Sequence, residues 1–160
     1  MKKILVISDS HGILTNVKEL FNRYPDVEDV IHLGDILGDY EEISQMCKGQ
    51  FKAVRGNCDF GNNSLDLYEI VEVGDLRILA THGHECGVNY GLERLVNMAI
   101  INDCDIALYG HTHVPEVLEI EGVTVMNPGS ISLPRQMNHR PSYGVIYLDE
   151  NQVTCKVHYL

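Results

Sequence analysis

Five short polar clusters hold most of the chemistry this chain could perform. They are Asp9-Ser10-His11-Gly12, Gly34-Asp35, Gly56-Asn57-Cys58-Asp59, Thr81-His82-Gly83-His84 and Gly110-His111-Thr112-His113. Five of the eight histidines fall within them. Asp9 and His11 are two residues apart, as are His111 and His113, so in a continuing strand each pair would face one side. Together with Asp35, Asn57 and His82 they supply oxygen and nitrogen donors and no thiolate. A structural zinc site takes about four ligands, often cysteines, so this set is too large for one such ion. Two neighbouring divalent ions sharing a carboxylate account for it better. A single histidine at a strand end is ordinarily a hydrogen-bonding residue, and an Asp after Gly ordinarily makes a turn. It is the repetition at five places that points to a metal centre.

Each cluster needs an element to deliver it, and the hydrophobic pattern supplies one. Lys3 to Asp9 is an apolar run with a polar end and reads as a buried strand. Val17, Leu20, Phe21 and Tyr24 fall at i, i+3, i+4, i+7, a helix face that Pro25 terminates. Val30 to Leu33 is a second strand, a short helix is expected around Ile43, Met46 and Cys47, and Phe51 to Val54 is a third strand. Strands alternating with helices imply a parallel sheet. Further on, Leu67 to Val73 and Leu76 to Ala80 flank a Gly74-Asp75 turn, and Leu92, Leu95, Val96 and Ala99 mark another helix. Ile106 to Tyr109 is a strand. Two hairpins follow, Val117 to Ile120 with Val123 to Met126, and Gly144 to Leu148 with Val153 to Tyr159. The expectation is one α/β domain over 1–160, with two sheets packed together and helices outside. Ligands in such sheets bind beyond the carboxyl ends of the strands, where all five clusters fall.

Composition narrows the function further. The 160 residues fit one domain of ordinary size, and 44% hydrophobic with 22% charged residues is average globular usage. No apolar run approaches the roughly 18 residues of a membrane helix, and Ile4 to Ile7 is too short for a signal-peptide core. Twelve basic residues against 23 acidic give a formal net charge of −11, which disfavours binding to a nucleic-acid backbone or a membrane. Five cysteines with no paired spacing read as reduced thiols, so a cytoplasmic location is expected. Cysteines other than Cys58 are expected in packing roles. His32 is expected to be structural, His158 to lie on the surface or in a sheet, and His139 to lie in a solvated loop.

In order and spacing, Asp9-x-His11, Gly34-Asp35, Gly56-Asn57, His82-Gly83-His84 and Gly110-His111-Thr112-His113 resemble the motifs of the calcineurin-like metallophosphoesterases. Asn127-Pro128-Gly129-Ser130 and Leu133-Pro134-Arg135 are similar to the small prokaryotic phosphodiesterase branch. The resemblance implies a four-layer αββα sandwich of two mixed sheets and a metal-dependent phosphodiesterase. It places one ion on Asp9, His11, Asp35 and His113 and the other on Asp35, Asn57, His82 and His111, with Asp35 and a hydroxide bridging. Two such ions, about 3.5–4 Å apart, clamp the attacking and leaving oxygens of an in-line transfer. Four positive charges less two carboxylates and one hydroxide leave roughly +1, enough to attract a small phosphodiester to an acidic protein. A His/Asp/Asn set suits Mn, Fe, Ni, Co or Zn better than calcium, and the resemblance points to manganese.

Two departures bear on activity. Many relatives carry a proton-donating histidine after the Gly-Asn, where this chain has Cys58. Cys58 therefore occupies the usual proton-donor position, and weak turnover of poor leaving groups is expected, with better turnover of aryl diesters. The arginine that protein serine/threonine phosphatases carry beyond Gly-Asp is replaced by Ile36-Leu37-Gly38, which favours diesters over monoesters. Asn57, His84 and Arg135 are candidate substrate contacts, with His84 also a catalytic candidate. The competing readings are a non-catalytic scaffold resembling the retromer subunit of this fold, and a phosphomonoesterase. Self-association into a homo-oligomer is also compatible with a strand-rich domain of this size.

Overall fold

The computed structural model describes residues 1–160. In chain order the elements are β1 (Lys2–Ile7), α1 (Thr15–Arg23), β2 (Asp29–His32), α2 (Tyr40–Met46), β3 (Phe51–Ala53), β4 (Tyr68–Val73) and β5 (Leu76–Thr81). There follow a 3-10 turn at His84–Cys86, α3 (Glu93–Ile101), β6 (Ile106–Leu108), β7 (Glu116–Ile120), β8 (Val123–Asn127), β9 (Ser142–Asp149) and β10 (Gln152–Tyr159). They form two five-stranded mixed sheets, ordered β10-β9-β1-β2-β3 and β4-β5-β6-β8-β7.

Alternation along the strands sorts the side chains into three apolar layers. From β1, Ile4 and Val6 point inward to meet Val71, Ile78, Ala80, Ile106, Leu108 and Met126 of the other sheet. Leu5 and Ile7, one residue out of phase, face the opposite way and pack on Val17 and Leu20 of α1 and Ile43 of α2. On the far side, Leu79, Ala107 and Val125 pack on Leu95, Val96 and Ala99 of α3. Helix, sheet, sheet and helix are thus stacked in four layers, the αββα sandwich the resemblance implied. A one-residue shift of β1 would exchange the side chains of two differently shaped layers, so register is held by packing on both faces.

Topology decides where the polar clusters go. β1, β2 and β3 run parallel in one sheet, and β5, β6 and β8 run parallel in the other. Each of the five clusters follows one of β1, β2, β3, β5 or β6, and Pro128-Gly129-Ser130 follows β8. Cross-sheet bonds bring these ends together: the His111 backbone N–H donates to Asp9 Oδ2 at 3.1 Å. The Gly74-Asp75 turn falls where the sequence placed it, and Glu121-Gly122 joins β7 to β8. No helix is long and apolar enough to cross a membrane.

Candidate metal centre

β1 ends at Ile7 and the chain then turns through left-handed backbone at Asp9 (φ 55°) and His11 (φ 50°). Asp35, His111 and His113 share that conformation, with φ between 57° and 69°. Non-glycine residues rarely adopt it, and such strain gathers at functional sites when the surroundings enforce it. It also corrects the side-by-side expectation for the Gly110-His111-Thr112-His113 pair. Because β6 stops at Leu108 and both histidines have positive φ, they diverge: His113 joins Asp9 and His11, while His111 joins Asn57 and His82.

The first group is tightly built. His113 Nδ1 donates to the Leu133 carbonyl at 2.7 Å, which leaves Nε2 bare and facing inward. That Nε2 lies 3.1 Å from Asp9 Oδ1 and 3.2 Å from His11 Nε2. In the second group His82 Nδ1 donates to the Leu33 carbonyl at 2.7 Å. The bare His82 Nε2 stands 2.9 Å from Asn57 Oδ1 and 3.2 Å from His111 Nδ1. Asn57 Oδ1 is also 3.0 Å from His111 Nδ1. Between the groups, Asp35 Oδ2 is 3.5 Å from His11 Nε2 and 3.4 Å from His82 Nε2. Its other oxygen accepts the Cys58 backbone N–H at 2.8 Å.

This geometry sets acceptor against acceptor. Lone pairs of imidazole, carboxylate and amide oxygen face one another at about van der Waals distance, an arrangement that cations would relieve. Asp9 Oδ1 makes the same point: it is fully buried and has no hydrogen-bond donor, whereas Asp9 Oδ2 is held by Ser8 Oγ and the His111 N–H. A buried carboxylate oxygen without a partner is costly unless a cation satisfies it. The residues therefore fit divalent metal, and three overlapping sets (Asp9, His11 and His113; Asp9, Asp35 and His82; His11, Asp35 and Cys58) place ligand atoms within 4.8 Å of one another.

Electrostatics follow from the crowding. Burial opposes charge on Asp9, yet His11, His113 and His82 hold its carboxyl below the usual range. Asp35 is lowered in the same way, against burial, chiefly by His82. His82 rises despite burial because Asp35 and Asp9 face it, while burial and His82 lower His111. Burial raises the Cys58 thiol, and Asp35 adds to this, so the thiol stays protonated.

The remaining candidates divide. His84 is half-buried against His82, ring centres 5.4 Å apart, and its Nδ1 is buried without a partner. Arg135 is exposed; its backbone N–H donates to the His113 carbonyl at 3.1 Å, and its guanidinium has no hydrogen bond or ion pair within the chain. His32 is fully buried with Nε2 2.9 Å from Ser10 Oγ, a structural role as expected. His158 lies on β10, stacked on Tyr143, and His139 is exposed in a loop. The five cysteines are unpaired.

Asn127 and Ser130 were legible as a family motif, but their supporting role was not, and Asn89 carried no signal. Ser130 Oγ donates to the Asp9 carbonyl at 2.8 Å, and Asn127 Nδ2 donates to the Gly110 carbonyl at 3.2 Å, so this motif braces two ligand loops. Asn89 brings its side-chain amide to 2.9 Å from His111 Nε2. Asp59 was visible as part of a cluster but carried no signal of its role, since three of its four partners are backbone N–H groups of Asp35, Ile36 and Leu37, distant in sequence.

The calcineurin-like phosphoesterase superfamily domain matches residues 1–151. The chain belongs to this family. The probable metallophosphoesterase YsnB of Bacillus subtilis is 31% identical over 96% of this chain and 88% of its own length. Phosphodiesterase YfcE of Escherichia coli is 29% identical over 91% of the chain and 88% of its own. A Streptococcus pneumoniae protein described as a predicted phosphoesterase superposes with TM-score 0.86 at 31% identity, covering 99% of this chain and 89% of that one. Vps29 of Chaetomium thermophilum has TM-score 0.80 at 23% identity over 99% and 95% of the two chains, a likeness of fold. The family is one of metal-dependent phosphoester hydrolases, and the Asp and His groups above are the ones that could hold its metal.

Proposed function

We propose that this protein hydrolyses small phosphodiesters at a two-ion centre. One ion is held by Asp9, His11, Asp35 and His113, the other by Asp35, Asn57, His82 and His111. The observation that carries the reading is Asp35 Oδ2, set almost equally far from the nearest histidine nitrogen of each group. When bound, two divalent ions activate water and neutralise charge on the phosphoryl oxygens. The donor set suits Mn, Fe, Co, Ni or Zn, with manganese proposed.

The chain's own groups then bind and orient. Asn57 is exposed and Cys58 half-buried, so the end of β3 presents both toward an incoming ester. The protonated Cys58 thiol is a weak acid for an alkoxide, which favours substrates whose leaving group needs no proton. His84, with its partnerless Nδ1, is proposed to contact the substrate, as is the free guanidinium of Arg135. Ile13, Leu37, Phe60 and Val114, each within three residues of a ligand, carry exposed apolar side chains. Apolar side chains beside a charged centre favour a diester with an aryl or similarly apolar group over a highly charged polymer.

The test is metal content together with turnover of bis-p-nitrophenyl phosphate against p-nitrophenyl phosphate, with and without manganese. Bound metal and faster diester cleavage support the reading. Faster monoester cleavage would make it a phosphomonoesterase. No metal and no turnover would leave the scaffold role, which rests on the fold likeness to Vps29 alone.

A further inference from the structure

The loop that carries Asp35 has an unusual backbone. Gly34, Asp35 and Leu37 all have positive φ, at 101°, 57° and 60°. Such runs turn successive N–H groups toward one point and form a nest that binds an anion. Here the point is occupied from within the chain. Asp59 Oδ2 accepts the Asp35 N–H at 2.8 Å, and Asp59 Oδ1 accepts the Ile36 and Leu37 N–H groups at 2.8 and 2.9 Å. Oδ2 also accepts the Gly56 N–H at 2.8 Å. Asp59 is only 7% exposed, so water does not compete for these four bonds.

The contact is reciprocal. Asp35 sends its Oδ1 to the Cys58 N–H, and Asp59 sends both oxygens back to the Asp35 loop. Two loops from neighbouring strands exchange carboxylates, and glycines let the backbones meet. A Cβ on Gly34 would lie 2.7 Å from the Gly56 nitrogen, and one on Gly56 would strike Asp35 Oδ1. With Oδ1 tied down, Asp35 Oδ2 is aimed between the two histidine groups, and Asn57, between Gly56 and Cys58, is aimed with it.

We propose that Asp59 is a positioning residue for the second metal ion: as the internal anion of this nest, it sets Asp35 Oδ2 and Asn57 Oδ1 beside the same histidine nitrogen, 3.4 and 2.9 Å from His82 Nε2. The inference rests on the two-ion reading above. The Asp59 carboxyl touches neither ion nor substrate, and acts by holding a left-handed loop that its own sequence does not favour.

The experiment titrates Mn2+ into chelator-stripped protein by calorimetry, with thermal melting in parallel. Wild type is expected to take two ions. Asp59→Asn keeps one acceptor oxygen and turns an NH2 toward two N–H groups, so one ion should bind about tenfold or more weakly, as other supporting residues of metal ligands do. Asp59→Gly opens the nest, and added sodium formate should restore the affinity where sodium chloride at equal ionic strength does not. Leu95→Ala, destabilised in the α3 core and on no ligand loop, should keep wild-type affinity. The proposal is overturned if Asp59→Asn binds both ions like wild type, if Leu95→Ala loses affinity equally, or if formate restores neither folding nor binding in Asp59→Gly. A wild type that binds no Mn2+ overturns the two-ion reading itself, a separate outcome.

Discussion

His111 and Cys58 show how much rests on single side chains at the mouth of the centre. His111 is partly exposed, with Nε2 2.9 Å from the Asn89 amide and Nδ1 facing Asn57 and His82, and is not fixed by core packing. His111→Ala should therefore leave the melting temperature of metal-free protein nearly unchanged while weakening metal binding by about 100-fold, with turnover falling in step. Retention of full manganese-dependent activity would remove His111 from the ligand set. Cys58 offers a test in the opposite direction. A positioned general acid contributes about 10²-fold or more, and the raised thiol is poorly suited to that task. Cys58→His should accelerate hydrolysis of an unactivated alkyl diester by at least about tenfold and change aryl diester turnover little. Equal rates on the alkyl substrate would show that leaving-group protonation does not limit the reaction.

Strands and their terminal loops supply the precision that these side chains need. β1, β2 and β3 are rigid because both faces of their sheet are covered, one by the other sheet and one by α1 and α2. Sites built at the ends of such elements hold their geometry better than sites on free loops. The close approach of the β2 and β3 loops is the most exacting point. Gly56→Ala would place a methyl group on Asp35 Oδ1, and overpacking of this kind costs about 1–3 kcal/mol. Denaturant unfolding should detect that loss, and metal titration should show weaker binding because Asp35 must move. A Gly56→Ala protein with unaltered stability and metal affinity would mean that the loops separate freely, contrary to the contacts seen.

Over the whole molecule, charge and burial govern stability and partners. The net charge of −11 repels polyanions at a distance, but it is an average over the surface. Asp9 and Asp35 are buried among histidines and contribute little to that surface. Burial also makes the fold sensitive to acid through His32, whose pKa is pushed down to about 4. An unfolded histidine titrates near 6.5, so below that pH the unfolded chain takes up the proton first. The stabilising contribution is complete above pH 6.5 and is lost as the pH falls toward 4, about 2 kcal/mol by pH 5. Chemical denaturation of metal-free protein at pH 7 and pH 5 measures it, and His32→Gln should flatten the difference. An unchanged difference in His32→Gln would assign the acid sensitivity to other groups.

The sequence by itself determined the strands, the helices and the identity of the donor side chains, because period-2 and period-3.6 apolar patterns and the polar ends of strands are local features. It also placed five polar clusters at strand ends, from which a shared site follows once the strands are parallel. Residue types and spacing left open which donors meet; the family resemblance implied a split, and the tertiary structure supplies a physical cause for one. The parting of His111 from His113 depends on left-handed backbone at both, a conformation that their residue types do not encode. The Asn127 brace depends on β8 lying beside β6, the Ser130 brace on the ends of the two sheets meeting, and the Asp59 clasp on β3 lying beside β2. Those contacts join residues more than 15 apart to backbone groups, which have no side-chain identity to read. Residue types therefore named the chemistry, and the packing of two sheets set the distances at which it can occur.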